Sequence, residues 1–207
     1  MTEVKETITV QTSEETGVGL GIILSGKSHV GKDSIANELI KNYGFKKYAF
    51  ADMLKQHCSK KYDYPVEWNY SQEGKQRVVK NSGGKTVRQL LIEEGQKGRE
   101  EDNLKWVKKV VTKLMEEKPS FYVVTDCRFR NEAEVFKYFN GIIVRINATN
   151  EDRLRWGCPE EMINSKESSE VSLDNYEGFN LVYDIKYGCR NDLLAKEIVH
   201  EIYDKQL

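Results

Sequence analysis

The stretch GLGIILSGKSHVGKDS, residues 19–34, decides how the rest of the chain is read. Its first half is an apolar run bounded by glycines, the pattern of a strand buried inside a parallel sheet. From residue 32 to 43 the apolar side chains Ile35, Leu39 and Tyr43 return at helical spacing. Between strand and helix lies G-x-x-x-x-G-K, running from Gly26 to Lys32. That is the context in which this motif cradles phosphate. Gly26 and Gly31 let backbone N–H groups turn inward around phosphate oxygens, and the helix behind them adds the positive end of its dipole. Lys32 is then placed to reach the terminal phosphates of a nucleoside triphosphate. The bland alternative is a glycine-rich turn at a strand end.

The run Gly26, Lys27, Ser28, His29, Val30, Gly31, Lys32, Asp33, Ser34 and Ile35 is therefore the candidate ATP-binding segment, with Ser28 also a candidate for the second substrate. Asp33 stands where Ser or Thr usually ligates Mg²⁺. A carboxylate is a hard oxygen donor and can hold the ion directly or through water, with Ser34 assisting.

Outward from this core, FKKYAF (45–50) alternates as a second strand and 51–62 read as a short helix. Residues 63–85 are polar, with Pro65 and a Gly-Gly pair, and read as an irregular excursion. Thr86 and Gln89 form a capping-box signature that starts a helix. Residues 103–117 place Leu104, Val107, Val111 and Leu114 on one stripe. FYVVTD (121–126), IIVRI (142–146) and LVYDI (181–185) read as further strands, with helices over 131–139 and 191–203. The charged segment 150–178 suggests a lid. This alternation predicts an α/β fold of three layers with a parallel central sheet. Residues 1–18 read as a tail in which ITVQ could add an edge strand. Residues 19–207 then form one domain, with an acceptor-side excursion over 63–100.

Composition narrows the function. Of 207 residues, 31% are charged and the net charge is −1, so the basic excess of a nucleic-acid-coating protein is missing. No apolar run is long enough to span a membrane, and the start, MTEVKETITVQTSEET, lacks the apolar core of a signal peptide. Cys58, Cys127, Cys158 and Cys189 form no CxxC pair and read as reduced thiols. The expected setting is the cytoplasm.

FYVVTD ends in Asp126, followed two places on by Arg128. Ligands of open α/β sheets gather at the C-terminal tips of strands, so Asp126 is a second candidate for Mg²⁺ and Arg128 for a phosphate. The alternative is an acid capping the next helix beside a surface arginine.

SGKSHVGKDS, FADMLK (50–55), TVRQLLIEEGQKGRE (86–100) with Trp106-Val107, VVTDCRFRNEAE (123–134) and SSE (168–170) before Leu173 occur in one order over roughly residues 20–190. In these pieces the chain resembles the bacteriophage-type deoxynucleoside monophosphate kinases of the P-loop NTPase superfamily. The G-K-D form of the loop also occurs in other small-molecule kinases, phosphomevalonate kinase among them. The resemblance implies a nucleoside monophosphate kinase-like fold with nucleotide-binding and lid excursions. It implies ATP with Mg²⁺ as donor and a deoxynucleoside 5′-monophosphate as acceptor, in the host cytoplasm for a phage protein. A homodimer is compatible with the resemblance, and the composition leaves no nucleic-acid polymer or membrane as an expected partner.

By the same resemblance, Lys55, Arg88 and Arg128 would hold the acceptor phosphate, and Glu132 and Trp106 the sugar or base. Lys32, Arg128 and Asp126 would form the catalytic set. Arg88 sits in a first helical turn, where an anion is favoured. Trp106 lies about 200° from Leu104 around a helix, off the main stripe, and could stack on a base or pack on a second core face. Lys55 and Arg88 could be solvated helix cations, and Glu132 could favour the start of its helix. Asp52 could orient the acceptor or cap residues 53–62. Arg153 and Arg155 would close over ATP or stay solvated. Two places depart from the family: Glu167 stands where a His is usual, and Lys186-Tyr187-Gly188 lacks an expected Asn. The rival readings are a P-loop kinase for another phosphorylated metabolite, such as phosphomevalonate or dephospho-coenzyme A, and a nucleotide-binding switch.

Overall fold

A computed structural model of the protein describes residues 16–206. Most of the tail expected over 1–18, including ITVQ (8–11), lies outside the described residues. Along the chain run β1 (Leu20–Ser25), α1 (Lys32–Tyr43), β2 (Lys46–Tyr48), α2 (Phe50–Tyr62), α3 (Gln72–Gln76), α4 (Val87–Glu101) and α5 (Lys105–Glu117). There follow β3 (Phe121–Cys127), α6 (Arg130–Lys137), β4 (Gly141–Ala148), α7 (Asn150–Arg155), α8 (Glu160–Ile163), α9 (Ser168–Val171), β5 (Leu181–Ile185) and α10 (Asn191–Gln206). They make two compact units, Tyr48–Lys113 and the chain that flanks it.

The flanking unit carries a five-stranded sheet in the order β2-β3-β1-β4-β5. β1 pairs in parallel with β3 and β4, and β4 with β5. Every residue of β1 is buried, which is why its sequence is apolar without alternation. On one face Leu20, Ile22 and Leu24 pack with Ile35 and Leu39 of α1 and with Leu194 and Ile198 of α10. On the other, Phe136 of α6 lies 6.2 Å from the Tyr122 ring. Each fully buried aliphatic side chain contributes roughly 1.5–3 kcal/mol. The architecture is the α/β, three-layer arrangement expected. Because β1 lies between β3 and β4, the loop after it opens at the point where the chain's connections diverge to either side. That is where open α/β sheets bind ligands.

The second unit has its own small core of Cys58, Tyr64, Val79, Val87 and Leu90. The expected capping box is complete: Gln89 N–H donates to Thr86 Oγ1 at 3.3 Å, and Thr86 N–H donates to Gln89 Oε1 at 2.9 Å. Such a cap stabilises a helix by about 1 kcal/mol.

Several boundaries differ from expectation. The second strand is only Lys46–Tyr48, because Phe50 already starts α2 from an extended Ala49. The irregular excursion over 63–85 holds short helical turns, Val66–Tyr70, α3 and Lys80–Ser82, closed by Gly83 and Gly84 at φ 69° and 85°. In α5 the buried positions are Trp106, Val107, Val110 and Leu114, while Val111, and Leu104 just before the helix, are half-buried. The inward Trp106 turns the buried face by about one residue from the stripe read in the sequence. All four cysteines are free, as expected. Among the described residues, no helix is long and apolar enough to cross a membrane.

Candidate active site

The loop leaves β1 through Gly26 at φ 150°. A Cβ there would collide with the Ile146 carbonyl and lie 2.8 Å from Val30 Cγ2, so a glycine is required. His29, at φ 63°, and Gly31, at φ 78°, take the left-handed conformation and curl the loop before α1. Lys32 folds back over this curl, its Nζ donating to the carbonyls of Gly26 at 2.7 Å and Lys27 at 2.8 Å. Burial, followed by the nearby Arg128, pushes its ammonium down to about 7, although Glu170 and Asp33 pull the other way. Val30 and Ile35 bury their side chains in the main core. A ligand at the loop would meet their main chain. His29 is exposed.

Asp33 and Ser34 stand exposed in the first turn of α1, with Asp33 paired to Lys47 at 2.7 Å. Asp126 is half-buried one residue before the end of β3. These are oxygen donors of the kind Mg²⁺ takes beside a polyphosphate. Among the described residues there is no ready-made cluster of three metal-ligating side chains. None is needed, since Mg²⁺ in such sites relies on one or two carboxylates, phosphates and water.

Ser28 is gripped from three directions. Its N–H donates to Glu170 Oε2 at 2.9 Å. Its carbonyl accepts Arg153 Nε–H at 3.0 Å, and its Oγ accepts Arg153 Nη2–H at 3.1 Å. Arg153 is 0% exposed, so its guanidinium is built into the floor of the loop and is not solvated. Arg155 is exposed and pairs with Glu151 at 2.6 Å. Of the two arginines expected over ATP, the structure brings one to the loop.

Arg128 pairs with Glu170 Oε1 and donates to the Ser169 carbonyl at 3.3 Å. Glu132 accepts the main-chain N–H groups of Arg128 at 2.7 Å and Phe129 at 3.0 Å, which fixes the start of α6. The helix-start alternative for Glu132 therefore describes at least one of its oxygens. Arg145 was not anticipated. Its Nη1 donates to Ser25 Oγ at 3.3 Å and its Nη2 to Asp174 Oδ1 at 2.9 Å, and Lys27 closes on the other oxygen of Asp174 at 3.1 Å. The signal available was a charged residue interrupting the apolar run IIVRI. Lys27, Lys32, Arg128, Arg145 and Arg153 thus meet the acids Glu170, Asp174 and Asp33 around the loop.

In the second unit, Lys55 pairs with Asp52 at 2.8 Å and lies 4.4 Å from the Tyr70 ring centroid. Arg88 donates to Gln72 Oε1 at 2.6 Å. Lys75 joins them: burial, then the charges of Lys55 and Arg88, hold its ammonium below the usual lysine range. Asp52 lies in the first turn of α2, but Ala49 is the cap, so the capping alternative for Asp52 does not hold. Trp106 is 5% exposed, donates its indole N–H to the Gly95 carbonyl at 3.3 Å, and covers Gly98 closely enough that a Cβ there would lie 2.7 Å from its ring. This is the core-packing alternative, and it corrects the expectation of a base-stacking ring.

The Glu167 carbonyl accepts Glu170 N–H at 2.8 Å, and Tyr187 N–H donates to Asp152 Oδ1 at 2.9 Å. An asparagine does reach the loop, since Asn191 Oδ1 lies 3.3 Å from where a Gly31 Cβ would be.

No protein-family model matches the sequence, and no curated protein matches it. Solved structures do. TT1252 from Thermus thermophilus is similar with a TM-score of 0.56 at 18% identity, covering 89% of this chain and 98% of that one. Dephospho-CoA kinase from Campylobacter jejuni gives 0.52 at 13%, covering 90% and 98%. Shikimate kinase from Bacteroides thetaiotaomicron gives 0.50 at 15%, covering 89% and 98%. The chain shares the overall α/β fold of these proteins. At these identities the likeness establishes the fold and leaves the acceptor to be argued from the residues.

Proposed function

We propose that the protein transfers the γ-phosphate of ATP to a deoxynucleoside 5′-monophosphate, giving the diphosphate. The observation that carries the transferase reading is Lys32, a buried ammonium folded onto two carbonyls of its own loop beside Arg128 and Arg145. A positive group so poorly solvated is stabilised by a polyanion, and a glycine-lined curl is where the polyanion fits. The acceptor reading is supported by Lys55, Lys75 and Arg88 in the second unit and by the sequence resemblance.

In this account Lys32 leaves the loop carbonyls and turns to the β- and γ-phosphate oxygens, where its charge offsets that of the moving phosphoryl group. Arg128 donates to the same group or to the acceptor phosphate. Gly26 and Gly31 hold the loop in the curl that turns its N–H groups toward the phosphates. Arg153 holds the loop through Ser28. Asp33, Ser34 and Asp126 would hold Mg²⁺, which would supply positive charge against the phosphates. The acceptor phosphate is itself a nucleophile near neutral pH, so no strong base is required, and catalysis rests on positioning and charge. The segment 150–178 would close to exclude water and limit wasteful ATP hydrolysis.

The test is ADP formation with Mg²⁺·ATP and a panel of deoxy- and ribonucleoside monophosphates. Phosphomevalonate, dephospho-coenzyme A and no acceptor are the controls. Stimulation by deoxynucleotides supports the proposal. Stimulation by another phosphorylated metabolite alone moves the acceptor assignment, and turnover independent of any acceptor favours the switch.

A further inference from the structure

Glu170 is a carboxylate set against a loop that otherwise suits phosphate, and it is 6% exposed. An acid in that position repels the proposed ligand and loses hydration, a cost its partners must offset. Its two oxygens go to different structures. Oε2 accepts Ser28 N–H at 2.9 Å and lies 3.8 Å from Arg153 Nη2. Oε1 pairs with Arg128, which also donates to the carbonyl of neighbouring Ser169. Glu170 and Ser169 both lie on α9, so the Arg128 guanidinium meets that short helix while its main-chain N–H donates to Glu132. Arg128 has several flexible torsions and would sample many positions without that anchor.

We propose that Glu170 is a positioning residue: it ties the Arg128 guanidinium and the Ser28 segment of the phosphate loop into one register, so that the arginine meets the phosphate the loop delivers. This deepens the transferase reading and rests on it for its catalytic consequence. The anchoring of Arg128 stands apart from it. Glu170 touches no reacting atom in this scheme and acts through Arg128.

The experiment compares wild type, E170Q, E170D, R128M and the E170Q/R128M double variant. Gln keeps the volume of Glu and an acceptor for Ser28 N–H, so E170Q is expected to fold. In ligand-free protein, the Arg128 side-chain N–H resonance should be sharp in wild type and broadened in E170Q. With Mg²⁺·ATP and the best acceptor of the panel, E170Q should lose about 100-fold in kcat, with KM for ATP changed less than threefold, as expected when a reacting group is displaced. E170D should recover part of that loss. The double variant should be no slower than R128M, because residues acting as a unit are non-additive. An unchanged Arg128 resonance, a wild-type kcat in E170Q, or losses that multiply in the double variant would overturn the proposal. A wild-type protein that transfers no phosphate while its Arg128 resonance still responds to E170Q would overturn the transferase reading and leave the anchoring intact.

Discussion

The main-chain N–H of Ser28 donates to Glu170 Oε2 at 2.9 Å across 142 positions of sequence. The loop is thus shaped at both ends by glycine and in the middle by a side chain from a remote helical turn. Its conformation depends on tertiary contacts as well as on local backbone freedom.

That contact makes stability respond to acid. Burial pushes the Glu170 carboxyl up, but the Ser28 N–H and the Arg128 guanidinium outweigh it and leave it below the ordinary value of 4.5. A carboxyl lowered in the folded state contributes stability above its unfolded value, and that contribution is lost as pH falls through the folded one. Urea unfolding from pH 7 down to below pH 4 should show a declining midpoint, with a shallower decline in E170Q. Parallel acid limbs in the two proteins would contradict this.

Arg153→Met should destabilise the protein by about 3–5 kcal/mol, because it leaves Glu170 and the Ser28 carbonyl short of a buried partner. Denaturant unfolding measures this. A loss under 1 kcal/mol would mean that the buried guanidinium is dispensable.

Gly26→Ala should cost roughly 1–3 kcal/mol of stability and remove Mg²⁺·ATP binding, since the new Cβ meets the Ile146 carbonyl and Val30. Calorimetric titration with Mg²⁺·ATP would show the loss. Wild-type affinity in this variant would remove the loop from the site.

Trp106→Ala should behave as a core truncation, costing about 3–5 kcal/mol. Trp106→Phe should leave the acceptor KM within threefold, because the ring covers Gly98 and its N–H is spent on Gly95. A large rise in KM with unchanged stability would restore the base-stacking role.

The sequence made the sheet and the loop legible because each is written locally. GLGIILSG declares a strand buried on both faces, and Gly26-Lys27-Ser28-His29-Val30-Gly31-Lys32 declares the turn that follows. Thr86 and Gln89 announced their capping box for the same reason. Glu170 was visible only as part of SSE, with no role, because its partners Ser28, Arg128 and Arg153 are far away in sequence. Arg145 and Lys75 were missed likewise: a lone charge in a strand or a polar excursion does not name its counter-ion. Trp106 misled because the helical wheel places residues by angle and is blind to which neighbour, here glycine, leaves room for a ring.

The central claim is that Lys32 and its loop serve phosphoryl transfer. It is tested most directly by following Mg²⁺·ATP and a deoxynucleoside monophosphate by phosphorus NMR, with wild type and Lys32→Ala side by side. The account predicts deoxynucleoside diphosphate and ADP in equal amounts from wild type. It predicts a loss of about 100-fold or more in Lys32→Ala, which should stay folded. Free phosphate without diphosphate from wild type, or near-normal transfer by Lys32→Ala, would contradict it.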